Sequence, residues 1–332
     1  MSGDMHLRKP TLARPRFLKL DYRHAQATRA WPQHPMAIVR FGERSALPSA
    51  EALTIDVDLS PLSPAPSEVW YSDEPVSLGR DGVIRFACDS SFVFGVIEVH
   101  ESNFRGVREA TASAYAAIRE FQRTAGFPHL LRMWNFLDAV NQGEGDLERY
   151  RQFCVGRAEG IDSSITGEYP AATAIGRQVP TGVLQVFWIA GKESGAAIEN
   201  PRQVSAYRYP RAHGPVSPSF SRATMTGDGT LLISGTASIV GHASQHPNDT
   251  LAQLSETLLN LKALVEHARQ QRSVTAADSP LLFKVYVRRA EDFEPISSRL
   301  EAAFPTDRMI YLAADICRRE LLLEIECVVQ PR

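Results

Sequence analysis

Two glutamates interrupt an apolar stretch near the C-terminus, Leu321-Leu322-Leu323-Glu324-Ile325-Glu326-Cys327-Val328-Val329. Read with the period of a β-strand, Leu321, Leu323, Ile325, Cys327 and Val329 share one face, and Leu322, Glu324, Glu326 and Val328 the other. A carboxylate on a half-apolar face is a candidate proton donor, because partial desolvation disfavours its charged form and keeps the proton on it toward neutral pH. The same alternation also fits a sheet face open to solvent. Cys317 precedes this strand and reads either as a reactive thiol or as a small buried hydrophobe. On a helix expected behind Asp146, Leu147, Tyr150, Cys154, Arg157 and Ile161 fall on one side. That places a guanidinium on an apolar stripe. Since arginine cannot shed its charge, an inward-facing one requires a carboxylate from the protein or a ligand; otherwise it reaches past the helix edge to water. Tyr207 and Arg222 bracket a Pro-rich, aromatic segment that reads as a binding loop or as a linker with surface arginines.

These residues must be positioned by a fold, and the chain repeats one order of elements twice. In the first copy Gly79-Arg80-Asp81-Gly82 predicts a hairpin turn, followed by strands over 83–88 and 92–100 and a helix over 104–124 that stops near Gly126. In the second, Thr226-Gly227-Asp228-Gly229 predicts the turn, 231–235 the strand, and Asn248 or Asp249 the N-cap of a helix reaching Gln271. Each copy continues with a strand (129–136; 281–288), a second helix (147–161; 295–304) and two closing strands (171–176 with 182–190; 309–317 with 320–329). The fold class expected is therefore α+β, with two duplicated ββαβαβ domains whose helices cover one face of each sheet. Overlaying the copies sets Gln185 against Glu324 and Gly176 against Cys317. The first copy thus lacks both carboxylate and thiol, and glutamine cannot donate a proton at neutral pH.

The organisation expected is a basic N-terminal arm over 1–34, an N-terminal domain over 35–199 that has lost these groups, and a C-terminal domain over 200–332 that carries them. With 332 residues, 44% hydrophobic and a formal charge of -2, the chain is long enough for two cores. Nothing in it forms an aromatic-interleaved basic patch, so neither nucleic acid nor a membrane surface is the expected partner. Four cysteines without a C-x-x-C pair fit a reducing cytoplasm. Dinucleotide, phosphate-loop, zinc-protease and nucleophile-elbow motifs are absent, and His242 and His246 are helically spaced but flanked by Gly241 and Pro247, which favours a loop over a metal site. No cofactor or metal is expected. A duplication can replace a subunit interface, which makes a monomer the expected state.

The segments Trp134-Asn135-Phe136, Tyr150-Arg151-Gln152-Phe153-Cys154-Val155-Gly156-Arg157-Ala158-Glu159, Ser217-Pro218-Ser219-Phe220-Ser221-Arg222-Ala223, Ile233-Ser234-Gly235-Thr236-Ala237-Ser238 and Leu323-Glu324-Ile325-Glu326 together resemble the chorismatase family, from about residue 35 to the end. The resemblance implies domains of the reactive-intermediate deaminase type and cleavage of chorismate with release of pyruvate. It assigns Arg157 and Arg222 to the two substrate carboxylates, Tyr150 and Tyr207 to hydroxyl contacts, Gly235 and Ala237 to the substrate wall, and Glu324 to protonation of the enol-ether methylene. Cys317 resembles the cysteine of the hydroxybenzoate-forming branch, where the resemblance implies that a thiol assists rearomatisation of the ring. The chain is similar to the synthases of xanthomonads, which implies 3-hydroxybenzoate as the product, with 4-hydroxybenzoate the alternative. Val216 departs from the arginine expected in parts of the family. Other outcomes of the same residues are hydrolysis to a dihydrodiol, an imine or enamine deaminase, and a non-catalytic binder of small ligands.

Overall fold

The computed structural model describes residues 18–24, 32–42, 52–161, 169–271, 281–305 and 308–331. Strands β1 (Leu18–Arg23), β2 (Pro35–Phe41), β3 (Leu53–Val57) and β4 (Ser67–Ser72) form a four-stranded sheet in the order β1-β4-β2-β3. Next come β5 (Ser77–Asp81), β6 (Ile84–Cys88), β7 (Phe92–His100), helix α1 (Val107–Ala125), β8 (His129–Asp138), helix α2 (Arg149–Gly160), β9 (Ala171–Arg177) and β10 (Val183–Gly191), whose strands make a sheet ordered β5-β6-β7-β10-β8-β9. The second unit holds β11 (Ala196–Ile198), β12 (Ala223–Met225), β13 (Leu231–Thr236), the short ribbon β14 (Ile239–Val240) and β15 (Ala243–Ser244), α3 (Thr250–Gln271), β16 (Leu281–Val287), α4 (Phe293–Ala303), β17 (Arg308–Ala313) and β18 (Leu323–Val329). Its sheet runs β11-β12-β13-β18-β16-β17. The two six-stranded sheets share this order, and in each the only parallel pair is the outer one, β8 with β9 and β16 with β17. The protein is a duplicated α+β fold.

Amphipathic helices dictate the layers. Val107, Ala114, Ile118 and Phe121 of α1 bury against Val186 and Trp188 of β10, while Leu254, Leu261 and Leu264 of α3 bury against Ile325 and Cys327 of β18. On the opposite faces, all three sheets meet around Trp70, Phe94, Trp134, Phe187, Leu232, Tyr286 and Leu312. The edge strand β9 ties the halves together. Its Ala171 and Ala172 amides donate to Thr224 Oγ1 and Ser234 Oγ at 2.9 and 2.8 Å, and Gly176 and Asp315 exchange backbone hydrogen bonds.

The structure differs from the sequence expectations in several places. The first lies in the segment read as a basic arm, where Leu18–Arg23 is a strand and Arg23 is buried in a 2.5 Å ion pair with Asp21. Buried charges at Asp21, Arg23 and Glu68 break the alternation by which short strands are recognised, so the four-stranded sheet went unread. The remainder of that segment, 1–17 and 25–31, lies outside the described residues. Second, the turn at 226–229 joins β12 to β13 and thus corresponds in sheet order to the β6–β7 connection, one strand later than the hairpin at 79–82. Third, the closing strand begins at Leu323, because Leu321 N bonds back to Arg318 O in a turn. Cys317 consequently sits in the loop after β17. Leu147 precedes α2 in a short 3-10 turn and is exposed, so the buried face of that helix starts at Tyr150.

Candidate active site

A cavity of about 210 Å³ opens between the two halves. The first half supplies Tyr150, Phe153, Cys154 and Arg157 from α2 and Thr173 from β9; the second supplies Arg222, Gly235, Ala237, Cys317 and Glu324. Seven of the eight residues picked out from sequence therefore line one space. Tyr207 is the exception, since its ring rests 5.2 Å from that of Tyr169, and it is Tyr209, two residues on, that lines the cavity.

Glu324 projects from the face of β18 opposite the helices and is 5% exposed. The ladder between β13 and β18 shifts register between Ile233 and Thr236, and this bulge carries Gly235 up to the acid. A Cβ on Gly235 would run into the Glu324 carboxylate. Burial, and then the charge of Glu326, push the Glu324 pKa up to about 8 against the opposing pull of Arg132 and Arg222. At neutral pH this side chain is a protonated acid. Glu326, two residues along on the same face, goes the other way. Burial alone would raise it, but Lys284 and Arg132 outweigh that and hold it below the usual carboxylate range. Burial together with Glu324 drives the Cys317 thiol to about 12, so it is a neutral S–H.

Arg157 and Arg222 are 3% and 4% exposed. Among the described residues neither has a carboxylate within ion-pair distance, and the Nε of each lacks a hydrogen-bond acceptor. Arg157 lies 5.1 Å over the Tyr115 ring; Arg222 donates to Val204 O at 2.9 Å and to Tyr209 Oη at 2.7 Å. Among the described residues, two buried cations without a carboxylate at ion-pair distance thus face the cavity, and such cations ask for anionic groups on a ligand. Sequence reading passed over the residues at the mouth. Arg318 lies 5.3 Å over the Tyr209 ring, and Arg151, Arg319, Glu148 and Glu320 complete a charged rim. His213 Nε2 and His242 Nδ1 are 3.0 Å apart; burial and then Arg318 lower the His213 pKa to about 4. The signal for Arg318 and Arg319 is their place in the turn between the two strands expected over 309–317 and 320–329.

The arrangement is a protonated carboxyl that shares one cavity with two buried guanidiniums, one from each half. Residues 68–190 match the family model described as chorismatase FkbO/Hyg5-like, N-terminal. A chorismatase of Streptomyces hygroscopicus is 38% identical over 79% of this chain and 79% of its own length. The chain belongs to the chorismatase family. Within that family, a 3-hydroxybenzoate synthase of the same organism is 32% identical over 89% of this chain and 91% of its own. A crystal structure of a chorismatase superposes with a TM-score of 0.82 at 30% identity, covering 95% of this chain and 98% of that one. The structural match covers 95% of the chain and so takes in most of both halves. Among the described residues, no helix is long and apolar enough to cross a membrane.

Proposed function

We propose that this chorismatase converts chorismate into 3-hydroxybenzoate and pyruvate, with Glu324 as the acid. The observation that carries the reading is a carboxyl that keeps its proton up to about pH 8 in a cavity shared with two buried arginines that, among the described residues, have no carboxylate at ion-pair distance. Chorismate presents two carboxylates, on the ring and on the enolpyruvyl group, and Arg157 and Arg222 suit them as anchors. Glu324 then delivers its proton to the methylene carbon of the enol ether, leaving an oxocarbenium ion. The neighbouring ring hydroxyl attacks the ring carbon that carries the ether oxygen, losing its proton as that C–O bond breaks and frees pyruvate as a ketone. The epoxide-like ring reopens as its oxygen regains a proton, and loss of the ring C–H proton gives the aromatic product. The atoms balance without water, because the methylene gains one proton to become the methyl of pyruvate and the ring loses one C–H proton on aromatisation. That proton can return to the Glu324 carboxylate. Proton transfers and the exchange of one C–O bond for another account for the whole change, with no external oxidant or reductant, so the scheme calls for no cofactor.

Cys317 bears on what attacks the ion. A thiol held neutral is no standing base; the role that fits it is to occupy the space beside the ring and keep water from the cation. The 3-hydroxybenzoate synthase among the relatives supports this branch. Incubation with chorismate, following pyruvate by a coupled assay and the ring product by chromatography, tests the reading. Equimolar pyruvate and 3-hydroxybenzoate are expected, and Cys317→Ala should raise the share of dihydrodiol. A dihydrodiol from the unaltered protein would remove the role given to Cys317. Absence of turnover would sink the reading in favour of a deaminase or a ligand-binding protein.

A further inference from the structure

Behind Glu324 lies a group of charges that touches no cavity space. Glu326 Oε1 accepts from Lys284 Nζ and Trp134 Nε1, both at 2.8 Å; its Oε2 accepts from Arg132 Nη2 and Thr173 Oγ1, both at 2.7 Å. Lys284 also pairs with Glu68 at 2.6 Å. All of these side chains are buried, and they come from all three sheets: Glu68 from β4, Arg132 from β8, Thr173 from β9, Lys284 from β16 and Glu326 from β18. Two carboxylates against two cations leave the group without net charge. Thr173 links it to the site, since its Oγ1 accepts from Gly235 N at 3.0 Å and Gly235 backs the Glu324 carboxyl.

We infer that Glu326, held ionised by Lys284 and Arg132, is a positioning residue that keeps the catalytic proton on Glu324 by setting a fixed negative charge beside it. The inference rests on the reading of Glu324 as the proton donor. The groups facing Glu324 are Glu326 on its own strand, Arg132 from β8, Tyr286 from β16, Tyr150 from α2, Arg222 from the loop before β12 and Cys317 after β17. The tyrosines and the thiol stay neutral, each raised first by burial. With a dianionic substrate seated, Arg222 and Arg157 are spent on its carboxylates. What remains is a neutral cluster that an ionised Glu324 would leave one negative charge in excess, in a region of low dielectric.

The test is the pH dependence of kcat/KM, together with an infrared titration of the protonated-carboxyl band that vanishes in Glu324→Gln. In the unaltered protein the rate falls as pH rises through the Glu324 value. In Glu326→Gln the group behind Glu324 gains a net positive charge, so the fall and the infrared titration should both move down by about one to three pH units. KM should barely change, because Glu326 touches no substrate. If that variant fails to fold, Glu68→Gln removes the same charge one link farther away and should shift both curves down by less. A folded variant that loses rate equally at every pH, with its titration where it was, overturns the inference and leaves the cluster a purely structural one. The infrared curve needs no turnover. A shifted titration without chorismate cleavage would therefore fault the proposed function and not this inference.

Discussion

β10 and β18 occupy the same place in the two duplicated sheets, and both turn one face to helices and the other toward the centre of the molecule. On the central face β10 carries Gln185, Phe187 and Ile189. Phe187 stacks with Trp134, Phe94 and Phe136 at centroid distances of 4.9, 5.9 and 5.6 Å, and the Gln185 amide donates to Asp56 O and Glu98 Oε1 at 2.9 and 2.8 Å. β18 has Glu324, Glu326 and Val328 in the corresponding face. One copy spends the central face on aromatic packing and the other on titratable groups. The first copy is nevertheless no bystander, because α2 and β9 bring Tyr150, Arg157 and Thr173 to the cavity. The difference shows how a duplication divides labour: the backbone plan persists, the protonated carboxyl resides in one half, and one buried cavity-lining arginine, the anchor of the proposed function, comes from each.

Substitution of the acid is the strongest way to break this division. Glu324→Gln is expected to lower pyruvate release about 10²- to 10⁴-fold, the range over which a positioned acid contributes. Adding Gln185→Glu should restore nothing, because position 185 faces Asp56 and Glu98 and not the cavity. The same variant should be more stable than the parent in alkali. Glu324 titrates near 8 in the folded protein and near 4.5 when exposed, so between those pH values the native state binds the extra proton and its stability falls as pH rises. Gln cannot ionise and escapes that loss. Thermal melts of parent and variant at pH 5 and pH 9 should diverge by about 1 kcal/mol or more at the higher pH; parallel melts would show that burial does not hold the proton.

The two arginines sharpen the comparison at a smaller magnitude. Arg157→Met and Arg222→Met should each raise KM for chorismate roughly 10- to 100-fold, the loss of one charge-assisted contact worth about 1.5–3 kcal/mol. Comparable effects are expected because each half supplies one anchor. If only Arg222→Met weakens binding, the first half is reduced to scaffold, and the partnership of the copies fails.

Much of this site was legible because the elements that carry it have long, regular signals. The order of β8, β10, β16 and β18 and of α1 and α3 was plain, whereas the stripe on α2 left Arg157 open between an inward and a solvent-reaching position, which its burial decides. What escaped depends on contacts between segments distant in the chain. The partners of Glu326 lie on β8, β9 and β16, so no local pattern marks it as fixed in charge while Glu324 is kept neutral. Arg318 reaches the rim through a turn closed by a single backbone hydrogen bond. The four-stranded sheet hides because its buried positions include ion-paired residues, which look like surface ones until their partners are known.

Tyr207 and Tyr209 give the finest test of the division, since they lie only two residues apart, Tyr207 inside the 3-10 turn that spans Ala206–Arg208 and Tyr209 just past it at the C-cap, where the backbone is extended. The change of backbone at the cap sends the two rings to different sides. Tyr209 thereby reaches Arg222, accepting its hydrogen bond while its ring lies under Arg318, whereas Tyr207 turns to Tyr169 and carries Arg208 over its ring at 5.7 Å. Tyr209→Phe removes one acceptor from a buried guanidinium, a cost of about 0.5–1.5 kcal/mol, and should raise KM up to roughly 10-fold with kcat nearly unchanged. Tyr207→Phe should leave both constants within twofold of the parent. If the ranking is reversed, the loop must rearrange around substrate to bring Tyr207 inward, and the anchor on the second half would be built on chorismate binding instead of standing ready for it.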